Sequence, residues 1–183
     1  MSEIHIDTHL YTTRPDPEGR LPREMAVYDL LEKLEIPFIR ADHDAAMTIE
    51  ACQGVDELLG TEICKNLFLC NAQKTKFYLL LMPGSKQFKT KDLSKQIGSS
   101  RLSFAPAEYM EKYLGVTPGS ATVLGLMNDA DHQVQLIIDE DVAAQEEFGC
   151  HPCINTSSLK LKTSDVLDKL LPALGYTPVF VKL

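Results

Sequence analysis

LFLCNAQKTKFYLLLM, residues 67–82, is the stretch on which the fold turns. Two apolar runs, Leu67–Asn71 and Phe77–Met82, flank the polar segment Ala72-Gln73-Lys74-Thr75-Lys76. Short apolar runs on either side of a polar turn predict a β-hairpin, here without a turn glycine. Phe77–Met82 is also the longest uninterrupted apolar run, and six residues cannot cross a bilayer that needs about 20 in a helix. Upstream, Met25, Val27, Leu30, Leu31 and Leu34 recur near helical spacing and predict a helix over 23–35, ended by Ile36-Pro37. A short strand is expected over 38–42, and Thr48 is a candidate N-cap for a helix holding Ile49, Ala51 and Cys52.

Downstream, Thr90 is expected to cap a helix reaching Ile97, and a second helix is expected over 107–114. Pro118-Gly119 marks a turn. Val123–Met127 and Val134–Asp139 read as a second hairpin, 152–160 as a strand, 164–174 as a helix capped by Ser164, and 178–181 as a last strand. Hairpins recur and strands do not alternate regularly with helices, which predicts an α+β domain with a mixed or largely antiparallel sheet. Pro15, Pro17, Gly19 and Pro22 make residues 1–22 an irregular N-terminal arm, leaving 23–183 as a single domain. The first twenty residues lack a basic start followed by an apolar stretch, so a soluble, cytoplasmic protein without membrane partners is expected.

The net charge of −8 hides an asymmetry. Between Lys65 and Arg101 stand eight basic residues and one acid, Asp92, for +7; the remainder carries −15. A basic block in an acidic chain suits a phosphate-bearing partner held at one face. Five cysteines, an odd number, argue for reduced thiols. Cys150-His151-Pro152-Cys153 is a lone C-x-x-C without the second ligand pair of a structural zinc site, and no metal is expected. A thiol-redox or zinc role for Cys150 and Cys153 stands as a competing reading. G-x-G-x-x-G, Walker A, H-E-x-x-H and G-x-S-x-G are all missing, which removes the main support for nucleotide-binding, zinc-protease and serine-hydrolase classes.

Four segments carry a joint signal: Phe38-Ile39-Arg40-Ala41-Asp42-His43, Cys64-Lys65-Asn66-Leu67-Phe68-Leu69, Gly115-Val116-Thr117-Pro118-Gly119-Ser120 and His151-Pro152-Cys153-Ile154-Asn155-Thr156. In order and spacing they resemble the prolyl-tRNA trans-editing proteins of the YbaK/ProX-like superfamily. The likeness is to the free-standing form that deacylates alanyl-tRNA(Pro), related to the editing insertion of bacterial prolyl-tRNA synthetase. It spans about residues 28–181. The resemblance implies a mixed, partly barrel-like sheet surrounded by helices, and ester hydrolysis with no cofactor, metal or protein nucleophile. It implies the acceptor end of tRNA(Pro) as substrate, with prolyl-tRNA synthetase as a candidate partner. Position by position, it implies that Lys65 anchors the tRNA 3′ end and that Gly119 and Ser120 form the loop holding the aminoacyl ester. It likewise implies that His151 lines the amino-acid pocket, with Asn155 and Thr156 as the polar pair after it. One departure is Val123, where family members often carry proline four residues after the loop glycine. Without proline's fixed φ, a loop of different shape is expected, and the preferred amino acid stays open. A noncatalytic aminoacyl-tRNA-binding or regulatory module on the same fold is the alternative.

Overall fold

The computed structural model describes residues 4–46 and 48–183. In chain order the elements are α1 (Pro22–Lys33), β1 (Ile39–Asp42), α2 (Ile49–Leu59), β2 (Lys65–Asn71), β3 (Phe77–Met82), α3 (Thr90–Ile97), β4 (Leu102–Phe104) and α4 (Ala107–Leu114). A 3-10 helix (Val123–Asn128), β5 (Val134–Asp139), α5 (Glu140–Ala143), β6 (Glu147–Cys150) and β7 (Ser157–Lys162) follow. The chain ends with α6 (Thr163–Asp165), a π-helical segment (Val166–Leu170), α7 (Leu171–Leu174) and β8 (Val179–Val181).

The strands form two sheets. One has the order β1-β7-β6 and is antiparallel throughout. The other has the order β4-β2-β3-β5-β8, antiparallel from β4 to β3 and parallel from β3 to β8. The fold is therefore α+β with a mixed and largely antiparallel strand set, as expected. The partly barrel-like expectation needs a correction: neither sheet closes. The two sheets touch where Cys64 N–H donates to Gly149 O (3.2 Å) just before β2 begins. Gly149 is required there, because a Cβ would sit 2.9 Å from both Glu62 O and Ile63 Cα.

The 67–82 hairpin forms as predicted, and alternation along it explains its unbroken apolarity. Phe68, Cys70, Phe77, Leu79 and Leu81 enter the main core, with Val27 and Leu31 of α1 and Phe148, Leu159 and Leu161 of the small sheet. Leu69, Tyr78, Leu80 and Met82 face the other way and pack under Leu93 of α3. Both faces are covered, so neither can be polar. Each fully buried leucine contributes roughly 1.5–3 kcal/mol.

Several boundaries shift. Residues 123–127 form a 3-10 helix and not a strand, so the second hairpin does not exist and β5 pairs in parallel with β3 instead. Val123, Leu124, Gly125 and Leu126 are all buried, and a short run buried all round has no periodicity to separate strand from helix. The strand expected over 152–160 begins only at Ser157, because Cys153 sits in the left-handed region (φ +62°). The α3 N-cap is Lys89, not Thr90, and the last helix starts at Thr163, one residue before Ser164. Thr48 caps α2 as expected, its Oγ1 accepting from Ala51 N–H at 3.1 Å. The first three residues of the expected arm lie outside the described residues. Its remainder pairs along β1, with Tyr11 and Arg40 exchanging backbone hydrogen bonds (2.9 and 2.7 Å). Ile4, Ile6 and Leu10 pack there on Ala41, Val55 and Leu59.

Candidate active site

β4 covers β2 only along Leu69–Asn71, with one further bond from Ala105 N–H to Phe68 O (2.9 Å). Among the described residues, 65–67 of β2 therefore pair with β3 on one side and have an open edge on the other. A cleft of about 1140 Å³ crosses this edge, lined among others by Lys65, Asn66, Phe104, Gly119, Ala121 and His151. A second cavity of about 490 Å³, at the other end of β3 and β5, contains none of these residues.

Strand alternation puts Lys65 on the α3 face beside Leu67, while Asn66 and Phe68 take the core face. The Lys65 ammonium donates to the Lys86 carbonyl, which uses one of its three donors. Lys86 is not available to a partner, because its ammonium is held by Asp139 (2.9 Å), Asp141 (2.6 Å) and the Leu183 carbonyl (2.9 Å). These acids hold its pKa above the ordinary lysine value. The basic block thus loses one member to internal pairing. Asn66 was not singled out from sequence. Its Nδ2 donates to Cys64 O (3.1 Å), and its Oδ1 is buried without a partner among the described residues. Its marks in the sequence are its place in the Cys64–Leu69 segment and its polarity inside an apolar strand.

Gly119 has φ +90°, a conformation suited to glycine. Its turn is closed by Ser120 N–H donating to Thr117 O (3.0 Å), so the Ser120 N–H is committed and its side chain is buried. The neighbouring Gly119 and Ala121 N–H groups have no acceptor among the described residues, and both residues line the cleft. Val123 stands at the first position of the 3-10 helix, fully buried, and the Thr122 hydroxyl before it accepts from Leu124 N–H (3.3 Å). Proline also suits a helix's first position; here a cap and a buried side chain secure the turn.

His151 is buried at the cleft wall. Its Nδ1 lies 3.0 Å from Ser157 O and 3.3 Å from Ser158 Oγ. Ser158 Oγ lies 2.8 Å from His43 Nε2, whose Nδ1 in turn lies 2.6 Å from Asp44 O. One assignment satisfies the chain: each Nδ1–H donates to its carbonyl and the Ser158 hydroxyl donates to His43 Nε2. Both rings are then neutral. Burial is the largest cause holding both pKa values below the ordinary histidine value, and His43 adds to it at His151. The Ser157 carbonyl that orients His151 is fixed in turn, since Ser157 Oγ donates to Asp42 (2.6 Å), which also accepts from Arg20 (3.0 Å) and Arg40. Burial raises the Asp42 pKa, but these donors outweigh it and leave the carboxyl below its ordinary value.

Asn155 and Thr156 do not line the cleft. Their carbonyls accept from Ala46 N–H (3.2 Å) and His43 N–H (2.9 Å), which ties residues 43–46 to the segment before β7. On the far wall, α2 and the turn after it bring Asp56, Glu57 and Glu62 to the cleft. Burial pushes Asp56 up to about 6, against the hydrogen bond from Ile63 N–H (3.0 Å). Cys150 and Cys153 are free and buried. Burial lifts both thiols well above the ordinary value, Cys153 to about 12, which keeps them protonated and unreactive. Among the described residues no group of three or more His, Cys, Asp or Glu could hold a metal ion, and no helix is long and apolar enough to cross a membrane.

The sequence profile of the family described as "Aminoacyl-tRNA editing domain" matches residues 43–169, from the buried His43 through His151 into the π-helical segment. The chain belongs to this family. The editing domain is 32% identical over 154 residues to the prolyl-tRNA editing protein ProX of Acetoanaerobium sticklandii, covering 84% of this chain and 93% of that protein. It is 29% identical over 167 residues to the prolyl-tRNA synthetase associated domain-containing protein 1 of Xenopus laevis, covering 89% and 97%. Among solved structures, a candidate trans-editing enzyme for prolyl tRNA synthetase superposes with a TM-score of 0.67 at 16% identity, over 90% of this chain and 99% of that one. That last likeness concerns the fold of the editing domain.

Proposed function

We propose that this editing domain is a trans-editing aminoacyl-tRNA deacylase that hydrolyses the ester of mischarged tRNA(Pro), with alanyl-tRNA(Pro) as the preferred substrate. The observation that carries this is the meeting of Lys65, Asn66, the Gly119 turn and His151 on one cleft at the open edge of β2. The prolyl-tRNA editing role of the ProX relative supports the tRNA assignment.

The substrate is an activated ester on a terminal ribose, so positioning and oxyanion stabilisation supply most of what catalysis needs. The Lys65 ammonium pairs with a 3′-terminal phosphate as a point charge. Water attacks the carbonyl carbon, and the proton it gives up is the one the departing ribose oxygen takes, with the neighbouring ribose hydroxyl placed to relay it. The carbonyl oxygen becomes an oxyanion, which the Gly119 and Ala121 N–H groups receive. On collapse the ester C–O bond breaks, and the ribose oxygen leaves with a proton. The carboxylates of Asp56 and Glu62 favour the substrate's cationic α-amino group. His151, neutral and held at Nδ1, forms the wall against which the amino-acid side chain is measured. Such a wall discriminates methylene-sized differences by only about 1–3 kcal/mol, which is why a sieve separate from the synthetase is useful.

The test is incubation of the protein with alanyl-, cysteinyl- and prolyl-tRNA(Pro), following release of free amino acid. Fastest release of alanine is expected. Binding of all three without release of any amino acid would instead identify a noncatalytic aminoacyl-tRNA-binding module.

A further inference from the structure

Phe104 is the most exposed large apolar side chain among the described residues, at 63%. It ends β4, the outermost strand, and alternation places it on the same face as Leu102, which is buried under α3. The cover of α3 does not reach Phe104. Phe88, just before α3, meets it edge to face with ring centroids 6.3 Å apart. Phe104 and half-buried Leu67 both line the mouth of the cleft that holds Lys65, on the Lys65 side of the sheet. An aromatic ring steadied by one aromatic neighbour and otherwise largely exposed offers a surface on which another flat ring can stack.

The charge around it is mostly positive, with Asp92 the one acid between Lys65 and Arg101. Lys89, Lys91, Lys95 and Arg101, on and beside α3, are exposed, and none forms an ion pair with the described residues. Lys86, the block member that is paired, is turned to Asp139 and Asp141 instead. The acids of the cleft, Asp56, Glu57 and Glu62, come from α2 and the turn after it. A stacking ring beside unpaired cations is the chemistry that holds single-stranded nucleic acid, with bases on aromatics and backbone on lysine and arginine.

We propose that Phe104 and Phe88 form a base-stacking platform for the unpaired 3′ end of an RNA, whose phosphates run along the basic side of α3 toward Lys65. The proposal rests on the deacylase assignment for the identity of the RNA. The platform would give the cleft two halves. One binds the nucleotide on the α3 face, and the other holds the ester on the core face beyond the edge of β2.

The experiment measures the affinity of wild type, Phe104→Ala and Phe104→Tyr for two RNA hairpins with the same acceptor stem, one ending in single-stranded CCA and one blunt. Phe104→Ala is expected to weaken binding of the tailed hairpin roughly 5- to 150-fold, the size of one base–aromatic stack, and to leave the blunt hairpin unchanged. Phe104→Tyr is expected to restore the tailed affinity. Wild-type affinity of Phe104→Ala for the tailed RNA, or an equal loss on both hairpins, overturns the platform. Hydrolysis of alanyl-tRNA(Pro) by the wild-type protein is followed in the same preparation. Its absence sinks the deacylase assignment alone, whereas the tailed-against-blunt contrast decides the platform.

Discussion

The two faces of β2 at its open end differ in almost every physical respect. On the α3 face, Lys65, Leu67 and Phe104 are half-buried or exposed, and the surrounding charge is positive and unpaired. On the core face, Asn66, Phe68 and His151 are half-buried or buried, burial holds the histidines uncharged, and the charges that reach the cleft are the acids Asp56, Glu57 and Glu62. Consecutive residues of one strand face these two environments. For the proposed deacylase, this contrast keeps attraction of a polyanion, which works well in water, apart from ester chemistry, which benefits from a fixed, low-dielectric surround.

The largest expected effect is on the charged face. Lys65→Ala should slow deacylation about 10- to 100-fold, the worth of a hydrogen bond to a charged group, with little loss of thermal stability because the side chain makes one internal hydrogen bond. Wild-type turnover by this variant, measured as amino-acid release from tRNA(Pro), would remove the anchor role.

The core face should respond in kind and not only in degree. His151→Ala should lower the preference for alanyl over bulkier esters by about tenfold while hydrolysis persists. Single-turnover rates on alanyl- and prolyl-tRNA(Pro) across about pH 5.5–8 check this. Total loss on every ester, with a wild-type rate that follows one histidine-like ionisation, would make His151 catalytic and erase the division between the faces.

Salt sharpens the contrast further. RNA affinity should fall as salt rises, and Lys91→Ala should reduce the slope of log affinity against log salt by about one phosphate's worth, roughly 0.7–0.9. Lys86→Ala should leave the slope unchanged and lower the melting temperature instead, since it strands the buried Asp139. Equal slopes for the two variants would mean that internal pairing does not withdraw Lys86 from the surface field.

A Cys150→Ala/Cys153→Ala double variant should retain deacylation within about twofold and melt earlier, by roughly 1 kcal/mol for each buried thiol removed. A folded variant without activity, or stoichiometric zinc in the purified protein, would revive the thiol reading.

The smallest effect is on stability against pH. The lowered pKa values of His43 and His151 mean that the unfolded chain binds more protons below about 6.5, so stability should be full above that pH and decline as pH falls toward the folded values. Asp56, raised to about 6, acts oppositely, because the folded chain holds its proton over that window. Melting temperatures between about pH 5 and 7 should therefore fall more steeply with acid in Asp56→Asn than in wild type. Parallel curves would show that Asp56 is not perturbed.

The hairpin, the α+β class and the helices α1 and α4 were legible in sequence because the spacing of apolar residues is a property of near neighbours, as is the Thr48 cap of α2. The 3-10 helix at Val123 and the late start of β7 were not, because burial on all sides erases periodicity and a left-handed Cys153 has no local mark. For the site, the residue types were visible and their division of labour was not. Lys65, Gly119 and His151 stand out as a charge, a turn and a histidine anywhere along a chain, yet only the missing partner along residues 65–67 of β2 brings them to one cleft. Asn155 and Thr156 looked equivalent to His151 in sequence, but the fold spends their carbonyls on residues 43–46. Lys86 looked like its neighbours until Asp139 and Asp141, more than fifty residues away, claimed its ammonium. Sequence alone determined which elements form and which side chains are available. Tertiary structure decided which hydrogen-bonding groups are consumed within the protein and which remain for a substrate, because that depends on partners remote in the chain.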